Sequence, residues 1–130
     1  MFTEMTFTTN HGTPRAARDF VRSALAAEHL DAVGVGEVSL LLTTELVTNA
    51  VQHARSAPTV RLLTVVDRLR VEVDDTSTTI PAVAMPDPAR PSGYGLLLVA
   101  SLASQWGADL RPGGKTVWFE LPLPSLETSA

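Results

Sequence analysis

The chain has 130 residues, a formal net charge of −4 and no cysteine, which suits one domain of ordinary size and excludes disulfides, thiolate metal sites and a thiol nucleophile. Its few basic residues are scattered, so the sequence argues against nucleic-acid binding through phosphate contacts. No apolar run is long enough for a membrane span and the start, "MFTEMTFTTNHGT", lacks a signal-peptide pattern, so we expect a soluble cytoplasmic protein without a membrane partner.

The first part of the chain predicts a strand and two helices. Residues 3–9 alternate and are rich in threonine, which favours a short edge strand. Thr13 followed by Pro14 is typical of a helix start. The apolar face of this helix would consist of Ala17, Phe20, Val21, Ala24 and Leu25. A second helix is predicted from Glu37 to Ala54, with its core side marked by Leu40, Val47 and Val51.

A hairpin and a long loop follow. Residues 59–66 and 69–75 predict two antiparallel strands joined by a turn at Asp67 and Arg68. Apolar and charged residues alternate along the second strand, so helices should cover one face of the sheet. Residues 76–92 are rich in proline and have no periodicity, which indicates a lid or binding loop.

The last part of the chain predicts a buried helix over residues 93–101 and strands over residues 105–110 and 115–121. The predicted fold is an α/β two-layer sandwich, with a mixed, largely antiparallel sheet and helices on one face. We expect a single domain over residues 1–123 and a flexible tail over residues 124–130.

The second helix carries three polar residues at a spacing of four. Glu45, Asn49 and His53 would share one sector, largely opposite the core side. A solvated face explains this pattern most simply, and a transition-metal site is disfavoured because the chain has no HExxH spacing. A hard cation such as Mg²⁺ would suit Asn49, and Glu45 could then act as a general base.

Two further features are ambiguous when taken alone. Strand alternation places Asp75 on the buried face, where its carboxylate either caps its own loop or accepts a hydrogen bond from a ligand. Gly93 and Gly95 precede a helix, which fits a simple turn or a phosphate cradle. The sequence has neither a P-loop motif nor a dinucleotide-binding motif.

The order of these features is more specific than any of them alone. The helix with E-x-x-x-N-x-x-x-H, the aspartate ending a strand, the proline-rich loop and G-x-G-L resemble the GHKL or histidine-kinase-like ATPase domain over nearly the whole chain. "ELVTNAVQHA" is similar to the N box of that family, "VEVDDTS" to the strand before its first glycine box, and "GYGLLLV" to its second. The short length makes the chain most similar to small bacterial anti-sigma-factor serine/threonine kinases, which implies a Bergerat-type fold.

The resemblance implies a site for ATP and Mg²⁺. Asn49 would hold the metal, Glu45 would be the catalytic base and His53 would lie near the phosphates. Asp75 would accept a hydrogen bond from the adenine amino group, with Thr116 near the adenine. The backbone N–H groups that would bind the phosphates are those of Gly93, Tyr94, Gly95 and Leu96.

The chain departs from the family at the first glycine box. The family usually has D-x-G-x-G, whereas this chain has Asp75-Thr76-Ser77-Thr78-Thr79, so the small residue Ser77 would replace glycine only in part. The resemblance implies a kinase that sequesters a sigma factor and phosphorylates an anti-anti-sigma antagonist on serine. The missing glycines favour the alternative of a nucleotide-weak or non-catalytic regulatory module. A plain globular domain is a third reading, and monomer and homodimer both stay open.

Overall fold

The computed structural model describes residues 1–30, 34–54, 56–79 and 95–123, with the side chains of residues 53 and 54 excepted. The helices are α1 (Thr13–Ala27), α2 (Val35–Asn49) and α3 (Gly95–Leu102), and a π-helical segment (Ala50–Ala54) continues α2. The strands are β1 (Phe2–Thr6), β2 (Thr59–Val65), β3 (Arg68–Asp75), β4 (Gln105–Arg111) and β5 (Gly114–Pro122). Among these residues, no helix is both long and apolar enough to cross a bilayer.

The five strands form one sheet in the order β1-β2-β3-β5-β4, and all four neighbouring pairs are antiparallel. Helix α2 lies between α1 and α3 and packs on β3, the central strand of the sheet, and on β5 beside it. This arrangement is the predicted two-layer sandwich with helices on one face, although the described strands form a wholly antiparallel sheet and not the mixed one predicted. It places Glu45 and Asn49, near the end of α2, beside the first residue of α3.

The core fills the space between the sheet and the helices. The sheet contributes alternate residues of its strands: Val60, Leu62, Leu69, Val71, Val73, Val117, Phe119 and Leu121. The helices contribute Ala17, Val21, Leu25, Leu42, Leu46, Val47, Leu96 and Val99. The predicted alternation of β3 and the apolar face of α1 are therefore confirmed, because the helix and strand periods match the observed burial.

The prediction for the core side of α2 is wrong in part. Val47 is fully buried, but Leu40 and Val51 are only partly buried, and Leu42 and Leu46 lie in the core instead. Helix α2 contacts both neighbouring helices and the sheet, so its buried sector is too wide to be read from a single apolar stripe.

The face of the sheet opposite the helices carries a connected row of ion pairs. Arg61 bonds Glu72 at 2.6 Å, and Arg70 bonds both Glu72 at 2.7 Å and Glu120 at 2.8 Å. Burial alone would raise the pKa of Glu72 and Glu120, but hydrogen bonds from the arginines outweigh it and hold both pKa values below the usual range. These carboxylates therefore stabilise the fold in their ionised form.

We predict that the free energy of unfolding falls in acid partly through these two carboxylates. A carboxyl group with a depressed pKa gives its full stabilisation above its unfolded pKa and loses it as the pH falls through the folded pKa. Glu120→Gln should flatten the fall below about pH 4.3, the usual glutamate pKa, and cost about 1–3 kcal/mol at neutral pH. Urea unfolding from pH 7 to pH 3 tests this. The exposed Glu28 gives the control, and equal slopes for Glu28→Gln and Glu120→Gln would contradict the prediction.

The β2–β3 turn contains a strained residue. Val65 pairs with Arg68, so the turn residues are Val66 and Asp67, one position earlier than predicted. Val66 has a φ of 57° and is 96% exposed, a conformation that β-branched residues rarely adopt.

We expect Val66→Gly to raise the free energy of unfolding by about 0.5–1 kcal/mol, because relief of the positive φ exceeds the entropy cost of glycine. Thermal unfolding measures the gain. Val66→Ala is the matched control, since alanine keeps the Cβ atom and should gain much less. Equal gains for the two variants would show that backbone strain is not the cause.

Candidate functional site

Glu45 and Asn49 lie against the first residue of α3. The two side chains are one helical turn apart near the end of α2, and both are half-buried. A Cβ atom added to Gly95 would lie 2.8 Å from Glu45 Oε2 and 3.6 Å from Asn49 Nδ2. The absence of a side chain at Gly95 is therefore what allows the backbone of α3 to approach both polar groups. This contact argues against a purely solvated polar face.

The helix changes its geometry directly after Asn49. We predicted an α-helix through Ala54, whereas residues Ala50–Ala54 form a π-helical segment. The i→i+5 hydrogen bonds of a π-helix rotate the following residues relative to α-helical spacing, so a spacing of four no longer fixes the direction of His53. The side chain of His53 lies outside the described residues. Segments of this kind are frequent at functional sites.

Asp75 is buried at the end of β3 and its carboxylate has two partners. Oδ1 accepts a hydrogen bond from the backbone N–H of Ser77 at 2.8 Å, which confirms that Asp75 caps its own loop. Lys115 Nζ lies 3.0 Å from Oδ1 and 2.9 Å from Oδ2, and both side chains are less than 10% exposed. The sheet positions this pair, because Asp75 and Lys115 are directly opposite each other on β3 and β5.

Sequence reasoning missed Lys115, although the sequence contains a signal for it. Lys115 alternates with Val117, Phe119 and Leu121, which are buried on the face that the helices cover. A lysine in such a row needs an acidic partner, since an unpaired buried charge is costly. Asp75, already assigned to the buried face, is that partner.

Side-chain hydrogen bonds hold the loop after Asp75 where the family usually has glycines. The backbone N–H of Thr76 donates to Ser56 Oγ at 3.2 Å, and that of Thr79 donates to Ser77 Oγ at 3.2 Å. Ser56 follows the π-helical segment closely in the chain. The bond to Thr76 therefore fastens the end of β3 beside the end of the helix that carries Glu45 and Asn49.

The structure does not bring Thr116 to this group. Neighbouring residues of a strand point to opposite faces, so Thr116 lies on the ion-pair face while Lys115 lies on the helix-covered face. Thr116 Oγ1 donates to Asp74 Oδ1 at 2.7 Å. Leu96 is buried in the core, which leaves only its backbone to face a ligand. Gly93 and Tyr94 lie outside the described residues.

The side-chain oxygens of Glu45 and Asn49, which lie beside the start of α3, fit a magnesium–nucleotide site better than a resident transition metal. The described residues contain no cluster of three or more histidine or acidic side chains that could hold a metal. Asn49 offers a hard amide oxygen and Glu45 a carboxylate. Mg²⁺ commonly takes one or two protein oxygens together with substrate phosphates.

The model of the histidine kinase-like ATPase domain family matches residues 7–121. The chain belongs to this family, and the predicted family and fold class are confirmed. A sequence search of curated proteins gave no match.

Solved structures show the same fold. The crystal structure of the RsbU and RsbW domains of Rv1364c from Mycobacterium tuberculosis has a TM-score of 0.70 at 20% identity, covering 95% of this chain and 32% of that chain. The SiaB–SiaC complex from Pseudomonas aeruginosa has a TM-score of 0.62 at 18% identity, covering 92% and 88%. The histidine kinase domain of the E. coli osmosensor EnvZ has a TM-score of 0.51 at 14% identity, covering 98% and 92%. This chain thus spans about a third of the Rv1364c chain.

Proposed function

We propose that the protein is an ATP-dependent serine/threonine kinase of the anti-sigma-factor type that acts in the cytoplasm. It sequesters a sigma factor and phosphorylates an anti-anti-sigma antagonist on serine, with residues 1–123 as its single domain. The observation that carries the proposal is the contact of Glu45 and Asn49 with Gly95. This contact brings a candidate base, a candidate metal ligand and the first residue of a helix to one place in a chain of the ATPase domain family.

The roles of these residues follow from their chemistry. The Asn49 side-chain oxygen would hold Mg²⁺ together with ATP phosphate oxygens, and the bound ion neutralises phosphate charge. Glu45 accepts the proton of the antagonist's serine hydroxyl, whose oxygen forms a bond to the γ-phosphorus as the bond to the ADP oxygen breaks. The backbone N–H groups at the start of α3, together with its helix dipole, favour the negative phosphates.

Two of the similar structures support a protein partner for this chain. One is the SiaB–SiaC complex, and the other contains an RsbW domain in the same structure as an RsbU domain. We extend this to an antagonist protein and a sigma factor as the two partners.

Phosphoserine formation tests the proposal. The protein is incubated with Mg-ATP and its cognate anti-anti-sigma partner, and phosphoserine is located by mass spectrometry. The proposal predicts one modified serine on the partner and none without ATP. If the protein binds ATP and the partner yet no phosphoserine forms, the kinase assignment fails.

A regulatory module that binds nucleotide weakly is the second candidate. It is favoured by the loop after Asp75, which lacks glycines, and by the ion pair with Lys115, which already satisfies part of the carboxylate. Calorimetric titration with ATP and ADP separates the two functions. Dissociation constants beyond the millimolar range would favour the module, and tighter, magnesium-dependent binding would favour the kinase.

A further inference from the structure

The Asp75–Lys115 ion pair is a fixed part of the site where the proposed function places the nucleotide base. Asp75 is 5% exposed and Lys115 is 7% exposed. Removing one partner of a buried ion pair leaves the other charge uncompensated, which is strongly unfavourable. The amino group of a base is neutral and forms weaker hydrogen bonds to a carboxylate than an ammonium group does. A bound base would therefore join the ion pair and would not displace Lys115.

Among the described residues, the hydrogen bonds of the pair leave acceptor and donor sites side by side. Asp75 Oδ1 accepts hydrogen bonds from the Ser77 N–H and from Lys115 Nζ, whereas Oδ2 lies 2.9 Å from Nζ as an ion pair and accepts no hydrogen bond within the described segments. The lysine ammonium has three N–H donors, and the hydrogen bond to Oδ1 takes one of them. Within the described segments, Oδ2 and an N–H of Lys115 are therefore adjacent acceptor and donor sites.

We propose that Lys115 is a specificity-determining residue that donates a hydrogen bond to ring nitrogen N1 of adenine while Asp75 accepts one from the 6-amino group. This inference rests on the proposed function, because it assumes a nucleotide with its base at Asp75. An ammonium only donates and a carboxylate only accepts, so the pair matches a donor–acceptor edge in one order. Hypoxanthine and guanine present a carbonyl at position 6 and an N–H at position 1, which is the reverse order.

Lys115 restricts the choice of base in a way that a hydroxyl group or a water molecule in its place would not. A hydroxyl can donate or accept and could adjust to either base edge, whereas the charged pair cannot. Lys115 therefore makes the site strict for adenine over 6-oxopurines.

The test is the affinity of the full chain for ATP, for 1-deaza-ATP, which lacks the N1 acceptor, and for ITP. The wild-type protein should bind ATP about tenfold or more tightly than either analogue, the usual worth of a hydrogen bond to a charged group. Lys115→Met should bring ATP and 1-deaza-ATP to nearly equal affinity. Lys115→Gln keeps a neutral hydrogen-bond donor beside Asp75, so it provides a second test if the methionine variant does not fold. Because the glutamine amide can turn to present either its N–H group or its carbonyl oxygen, this variant should discriminate less against ITP.

Arg111→Gln is the matched control, since Arg111 donates to the backbone carbonyl of Asp75 at 3.3 Å and lies 4.0 Å from Asp74 Oδ2, with no hydrogen bond to the Asp75 carboxylate among the described residues. Its affinity ratios should equal those of the wild-type protein. Equal wild-type affinity for ATP and 1-deaza-ATP, or an ATP/ITP affinity ratio that Lys115→Gln leaves unchanged, would overturn the role of Lys115 while nucleotide binding stands. If the folded protein binds none of the three nucleotides, the proposed function fails, and this inference fails with it.

Discussion

Glu45→Gln is expected to lower the rate of phosphoryl transfer to the antagonist serine by about 10²–10⁴-fold, the usual contribution of a general base. Glutamine keeps the shape of the side chain and its contact with Gly95 but cannot take a proton from the serine hydroxyl. ATP affinity should change little, because the substitution removes a group that acts in the transition state. Single-turnover phosphorylation and calorimetry measure the two quantities separately.

Glu37→Gln provides the matched control for this prediction. Glu37 is exposed in the first turn of the same helix, so its replacement removes one carboxylate from α2 away from Gly95. Its phosphorylation rate should equal that of the wild-type protein. If Glu45→Gln keeps its activity, or if both variants lose activity equally, Glu45 is not the general base.

Gly95→Ala is expected to weaken ATP binding by about tenfold or more and to lower the free energy of unfolding by about 1–3 kcal/mol. The new Cβ atom would lie 2.8 Å from Glu45 Oε2 and 3.1 Å from Glu45 Cβ. The carboxylate can turn aside, but the Cβ atom of Glu45 belongs to the α2 backbone frame, so α3 must shift. This shift separates the start of α3 from Asn49. Calorimetry and urea unfolding measure the two losses.

Gly34→Ala tests whether any glycine at a helix start gives the same result. Gly34 precedes α2, and a Cβ atom added there would meet nothing within 4 Å. Its unfolding free energy should change by less than about 0.5 kcal/mol, as for ordinary surface substitutions, with unchanged ATP affinity. Wild-type ATP binding by Gly95→Ala would show that the close approach of α3 to Glu45 is dispensable.

Much of the fold could be predicted because several segments carry an unambiguous period. The apolar residues of β3 alternate and those of α1 form one helix face, so only one side of each element can face the core. Helix α2 was harder to interpret, since it is apolar on several sides and packs against two helices and the sheet. The change to a π-helix after Asn49 also leaves no mark in the apolar pattern.

The candidate site was predictable only in part. The spacing of Glu45 and Asn49 showed that they share a face, but not that Gly95 meets them, because that contact depends on the packing of α3 on α2. Asp75 was assigned to the buried face, yet its partner Lys115 follows from the β3–β5 register, which distant residues fix. The same register puts Thr116 beside Asp74 on the other face.

A calorimetric titration of the wild-type protein and of Asn49→Ala with ATP, with and without Mg²⁺, tests the proposed nucleotide site most directly. We predict that the wild-type protein binds ATP below the millimolar range and that Mg²⁺ strengthens this binding. Asn49→Ala should bind about tenfold more weakly and lose the response to Mg²⁺, because the amide oxygen that would hold the ion is gone. A folded wild-type protein that binds no ATP, or an Asn49→Ala variant whose ATP affinity still responds to Mg²⁺ as in the wild type, would contradict the proposed nucleotide site.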